Sequence, residues 1–213
     1  MKVARIKKAL LVLFAVLTLF SSVTLVSCNR KYDEKEVLEN AELLLKKAET
    51  LNEVYYGRGI SYIVSQYQTG DYYEADPFHL ATLGFTTVDE LKSLTLETFT
   101  VGYSNELFST RLSSNGTTTR YYQKYDDLAM QEPVCIMVYS RPTVLKKGTI
   151  VYDYSTLRVT GVKKQTVFVS VDATVYSDDG KSQRVSITID LIEEDNGWRI
   201  DNPCYANYDS TKD

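Results

Sequence analysis

Val167-Phe168-Val169-Ser170-Val171-Asp172-Ala173-Thr174-Val175-Tyr176 decides the fold, because its apolar and polar residues alternate with a period of two. Successive side chains of a strand point to opposite faces. Val167, Val169, Val171, Ala173 and Val175 therefore share one face, against Phe168, Ser170, Asp172, Thr174 and Tyr176 on the other. The run at 184–191 repeats the pattern, with Val185, Ile187, Ile189 and Leu191 against Arg184, Ser186, Thr188 and Asp190. The two runs predict an antiparallel hairpin, and its register can be read from the letters. A two-residue Asp179-Gly180 turn sets Val175 opposite Arg184, core against solvent. A three-residue Asp178-Asp179-Gly180 loop instead pairs Val171 with Ile187 and Val169 with Ile189. A slip of one residue inverts every side chain, so the loop is expected to be odd, with Gly180 in a left-handed bulge position.

Outward from the hairpin, 198–200 reads as a short last strand after an Asn196-Gly197 turn. Upstream, 149–160 reads as a long strand ended by Gly161, and 120–125 and 134–139 as two more. Before residue 113 the period becomes helical. Val37, Ala41, Leu44, Ala48, Leu51 and Tyr55 recur at steps of four and three, which predicts an amphipathic helix from Asp33 to about Tyr56, stopped by Gly57 and Gly59. Thr87 and Glu90 have capping-box spacing and open a helix to about Phe99; a third runs over 104–112, before Ser113-Ser114-Asn115-Gly116-Thr117. Ile60-Ser61-Tyr62-Ile63-Val64 is either a helical turn or a short strand, Thr69-Gly70-Asp71 a turn, and Pro77-Phe78-His79-Leu80 a loop over the core. The expected fold is α+β, with a long helix and two shorter ones packed on a curved antiparallel sheet.

The amino terminus supplies an address. Lys2, Arg5, Lys7 and Lys8 precede an apolar run at 9–20, then Ser21-Ser22 and a second apolar piece, the parts of a secretory signal. Leu25-Val26-Ser27-Cys28 resembles the bacterial lipobox. By that resemblance Cys28 takes a diacylglyceryl thioether, the signal (1–27) is cut after Ser27, and 28–32 is a tether reaching at most ~18 Å. An uncleaved membrane anchor over 9–26, or an ordinary signal with an incidental Cys, are the competing readings. The body spans 33–205, and 206–213 is a polar tail.

Composition narrows the partners. Removing the four basic residues of the signal from 24 leaves 20 against 28 acidic ones, a net −8. Nucleic acid and anionic headgroups require basic patches, so an acidic domain is poorly suited to either, and no nucleic-acid partner is expected. Cys135 and Cys204 either bridge, pinning the carboxyl end to the sheet, or are each a small buried hydrophobe. With one His and no third Cys in the body, no metal or other cofactor is expected.

The order of a long helix, two shorter helices and long antiparallel strands resembles the nuclear-transport-factor-2-like, or cystatin-like, superfamily. Ile189-Asp190-Leu191-Ile192-Glu193-Glu194-Asp195-Asn196-Gly197-Trp198-Arg199-Ile200 is similar to the closing hairpin of its secreted bacterial members. The resemblance implies a sheet wrapped around the first helix as a cone, and constrains architecture more than activity.

Catalytic motifs do not assemble. There is no Gly-x-Ser-x-Gly elbow, phosphate-cradling loop or His-Glu-x-x-His helix. His79, the one histidine, reads as structural; Asp153 and Tyr154 are candidate acids or bases; and Asp172 and Asp190 fall on the solvent face. No catalytic residue is assigned. Phe168 and Tyr176, joined by Tyr152 and Tyr154, form a candidate polar-aromatic face for an envelope protein, peptide or glycan, or for a second copy; an ordinary solvated face is the plainer reading. The sequence thus points to a membrane-tethered, non-catalytic binding or interaction domain of the cell envelope. The alternative is a small metal-free isomerase or hydratase acting in the cone.

Overall fold

The computed structural model describes residues 32–112, 120–126, 132–140, 148–177, 180–194, 197–206 and 208–209. The signal, Cys28, Asp178-Asp179 and Asn196 lie outside them. Glu34–Asp213 forms one compact unit. It is mixed α+β: helices pack with two four-stranded antiparallel sheets, not with a single curved one.

Helix α1 (Glu34–Tyr55) buries Val37, Ala41, Leu44, Leu45, Ala48, Leu51, Asn52, Val54 and Tyr55. Four of the remaining positions, Lys35, Glu39, Lys46 and Glu42, form exposed i,i+4 ion pairs. Strands β1 (Tyr62–Ile63) and β2 (Tyr72–Ala75) follow, joined through a tight turn in which Thr69 and Tyr72 exchange backbone hydrogen bonds around Gly70-Asp71. The loop expected at 77–80 is instead helix α2 (Pro77–Leu83). Asp76 caps it by accepting from Phe78 N, and Pro77 occupies the first turn, where its missing N–H costs nothing.

Helix α3 (Val88–Thr98) carries the full Thr87/Glu90 capping box. Helix α4 (Val101–Arg111) starts earlier than expected, because Thr100 caps it by accepting from Tyr103 N. Strands β3 (Tyr121–Tyr125) and β4 (Pro133–Tyr139) complete the first sheet, sheet A, in the order β1-β2-β4-β3.

Sheet B runs β5 (Gly148–Lys163), β6 (Thr166–Ser177), β7 (Ser182–Glu194) and β8 (Gly197–Ile200) in sequence order. Gly161 does not end β5. It lies inside the strand at a register shift opposite Phe168, and the chain turns at Lys164 instead, which adopts φ 58°. Glycine within a strand commonly marks such a bulge. In the β6–β7 hairpin Val171 pairs with Ile187 and Val169 with Ile189, the register of the three-residue loop, and Gly180 has φ 82°. Val167, Val169, Val171, Ala173 and Val175 are all buried, with Ile189, Leu191, Trp198 and Ile200 beside them.

Candidate functional site

The C-terminal end of helix α1 is held by hydroxyl groups from both sheets and from helices α3 and α4. Asn52 Nδ2 donates to the Tyr152 hydroxyl (2.9 Å), which itself donates to the Cys204 carbonyl. Thr95 Oγ1 donates to Leu91 O (2.7 Å), so the Tyr55 hydroxyl donates to Thr95 (2.8 Å). The Tyr121 hydroxyl donates to Val54 O (2.8 Å) and accepts from Ile60 N (3.1 Å). Tyr56 and Tyr103 share a hydroxyl contact of 2.7 Å. Burial raises the pKa of Tyr55, Tyr103 and Tyr152 above the ordinary tyrosine value, and pushes Tyr121 up to about 12. These hydroxyls stay protonated and partnered. Among the described residues the buried polar side chains are Asn52, Thr95, Thr98, Thr100, Ser104 and Ser170, with no carboxylate or imidazole.

The sequence-predicted residues scatter accordingly. Tyr152 is a core residue on the helix side of sheet B, not part of an exposed face. Its partner across the ladder is Ala173, on the buried face of β6, so the Tyr152–Tyr154 alternation points inward. Tyr154 also faces α1, donating to Glu49 Oε1 (2.8 Å). Phe168 is half-buried and Tyr176 is exposed on the opposite face, where Arg184 pairs with Asp172 (3.1 Å) and lies 3.7 Å from Asp153. The four aromatic residues therefore do not make one face. His79 Nδ1 accepts from Ser61 N (2.9 Å), which ties α2 to the start of β1. Asp190 is half-buried; burial, then the nearby Asp201, raises its pKa.

Cys135 and Cys204 are both free and buried, so the bridge is not formed. Cys135 contacts Met137 Sδ (3.6 Å) within sheet A, whereas the Cys204 thiol lies 3.8 Å from Asn52 Oδ1 against α1. Burial pushes each thiol up to about 11, away from the reactive thiolate.

The first turns of α1 and the middle of β5 enclose an open groove of about 530 Å³. Leu38, Leu157 and Tyr154 supply its apolar surface, and Glu34, Glu39, Glu42 and Lys35 its charge. Burial, then the hydrogen bond to Glu49, raises the Tyr154 pKa, so the ring presents a neutral phenol. Lys46 Nζ lies 5.4 Å from the centre of that ring. Among the described residues no group of three or more His, Cys, Asp or Glu is placed to hold a metal.

The chain matches no protein family, curated protein or solved structure.

Sequence reasoning missed a second aromatic region, on sheet A. Tyr72 meets Tyr122 edge-on (4.9 Å) and Tyr139 at a tilt (5.1 Å), and Tyr62 stacks on Tyr73 (5.0 Å). Beyond it Val64 and Phe78 are 81% and 85% exposed. Its signal was the density of tyrosine at 62–73 and 121–125.

Proposed function

We propose that the chain is exported, lipidated on Cys28 and held on the extracytoplasmic side of a bacterial membrane as a non-catalytic binding domain. The basic start, apolar run and Leu25-Val26-Ser27-Cys28 support the address. Two acyl chains at about 0.8 kcal/mol per buried CH₂ hold such a body on a bilayer. In this reading sheet B and α1 form the nuclear-transport-factor-2-like arrangement, a cone closed by its own side chains.

One contrast carries the binding reading. Around α1 the hydroxyls are partnered and sealed, whereas the groove beside Tyr154 is open and lined by apolar, aromatic and charged groups together. Concave sites with a few convergent polar groups are where ligands bind. An isomerase or hydratase needs a titratable pair facing a closed cavity, whereas among the described residues no carboxylate or imidazole is buried.

Expression of the intact chain in a bacterium fed an alkyne-tagged palmitate tests the address. The expected product begins at Cys28, carries the tag there and sediments with membranes. An untagged chain retaining residues 1–27 in the cytosol overturns it.

A further inference from the structure

We infer that the free edge of sheet A, strand β1, is the surface through which two copies of this chain associate, their β1 strands pairing antiparallel about a two-fold axis at Ile63. This edge is built from other residues than the groove beside Tyr154, and its pairing does not depend on the lipid address. Strand β1 ends the order β1-β2-β4-β3, so its outer side has no neighbouring strand. The phase of its hydrogen bonds shows what is left open. Tyr62 pairs with Ala75 and Ile63 with Glu74, and Asp76 N donates to Ser61 O (2.8 Å). Backbone groups of an antiparallel strand point alternately to its two sides. Ser61 and Ile63 are therefore spent inward, with Ser61 N donating to His79, and Tyr62 and Val64 turn their N–H and C=O to the open side. Among the described residues no loop or side chain takes up those outward groups. Tyr62, Ile63 and Val64 are 45%, 38% and 81% exposed, so nothing covers the edge.

The other sheet edges carry the devices that prevent such pairing: bulges, charges, short length. Strand β5 shifts register twice and bears Asp153, Arg158 and Lys163. Strand β3 shifts at Lys124-Tyr125, and β8 is four residues long with Ile200 bridged to Phe99. By contrast, 59–70 contains no charged residue and no proline. An open row of backbone groups selects an extended strand, and the sequence selects a copy of itself. Ser61-Tyr62-Ile63-Val64-Ser65 is symmetric in character about Ile63. Antiparallel pairing centred there sets Tyr62 against Val64, so the outward groups of each copy meet those of the other. Ile63 then faces its own copy and Ser61 faces Ser65. Tyr62 against Val64 is an aromatic–β-branched pair, which stabilises a ladder. A shift of one residue would set outward groups against inward ones. The two-fold pairing uses up both β1 edges, and the blunted β3 edge keeps the dimer from growing into a fibre.

Sedimentation equilibrium of the mature lipoprotein in density-matched neutral detergent, with micelles in excess, tests this, and a thermal melt of each variant verifies folding. The parent is expected to form a concentration-dependent dimer. Ile63→Lys sets two ammonium groups face to face, and Val64→Pro removes an outward N–H; each should weaken the dimer by about tenfold or more. Leu43→Lys, at an exposed position on α1, should leave it unchanged. In the paired strands the two Ile63 Cα atoms lie about 4.5 Å apart, within reach of a disulfide. Mild oxidation of cells expressing Ile63→Cys should therefore give a reducible band of twice the chain mass, whereas Val162→Cys, exposed on β5, should not. A parent that stays monomeric, or a dimer that survives either β1 substitution in folded protein, overturns the assignment. An Ile63→Cys adduct of any other mass means that the edge takes a different chain, and overturns the second copy as its occupant.

Discussion

Tyr152 sits where α1 meets β5, accepting a hydrogen bond from Asn52 and giving one to the Cys204 carbonyl. Tyr152→Phe keeps the ring and removes both bonds, leaving an amide and a carbonyl buried without that partner. An orphaned buried polar group costs about 1–3 kcal/mol. The expected loss is ~2 kcal/mol, or roughly 4–8 °C in Tm for a domain of this size; a thermal melt within 1 °C of the parent would show that the bonds contribute nothing. Asp190 gives a prediction with the opposite sign. Its pKa is raised, first by burial and then by Asp201, so the folded chain holds that proton more tightly than the unfolded one. Its contribution to stability is present in acid and is lost as pH rises through the folded value. Asp190→Asn should therefore be more stable than the parent at pH 7, by no more than about 1 kcal/mol for a partly exposed group. The difference should close by about pH 3, below the ordinary aspartate value of about 3.9. Urea unfolding at both pH values measures it, and an advantage that grows in acid would refute the sign.

At the scale of elements, legibility followed the length and regularity of the local signal. The β6–β7 register was readable because both strands alternate over many residues, and only an odd loop buries both apolar faces. The α3 cap was readable because its two partners lie three residues apart. Helix α2 was not, since Pro77 suggests a loop unless Asp76 is recognised as its cap. The inward turn of Tyr152 and Tyr154 was hidden for a different reason. Tyrosine suits either face, and β5 shifts register between Asp153 and Arg158, so its alternation does not run through. Least readable was how α1 ends. Gly57 and Gly59 signalled the stop, but the partner that secures it lies more than 60 residues away: Arg120 donates to Tyr55 O (3.1 Å) and Gly57 O (2.9 Å). A cation there satisfies terminal carbonyls and complements the helix dipole. Arg120→Ala should cost about 2 kcal/mol. Gly59→Ala should also destabilise: Gly59 has φ 81°, and a Cβ there collides with the Arg120 guanidinium and the Tyr121 hydroxyl. Shifts in urea midpoint at constant slope report both; a neutral Arg120→Ala would remove the guanidinium from the account of how α1 terminates.

For the whole molecule, charge separates two ways of staying on a membrane. A peripheral protein holds to anionic lipid through Lys and Arg, each worth about 1 kcal/mol near the surface and lost to salt. Here the residues from Cys28 onward carry 20 basic against 28 acidic side chains. Ion pairs on the α1 surface, at Lys35–Glu39, Lys46–Glu42 and Lys47–Glu97, engage lysines that such a patch would use. Among the described residues no helix is long and apolar enough to cross a bilayer. Under the proposed address, retention then depends on the acyl chains at Cys28 alone. The parent should stay with the membrane at 0.05 M and at about 1 M salt alike, because acyl insertion is not screened. Cys28→Ala, expressed without residues 1–27, should remain in the supernatant with vesicles of anionic lipid at either ionic strength. Its melting temperature should match that of the lipidated protein, since the tether precedes the folded body. Cosedimentation of this variant at low salt, lost at high salt, would mean that the body has a basic face of its own and that the lipid is not the sole anchor.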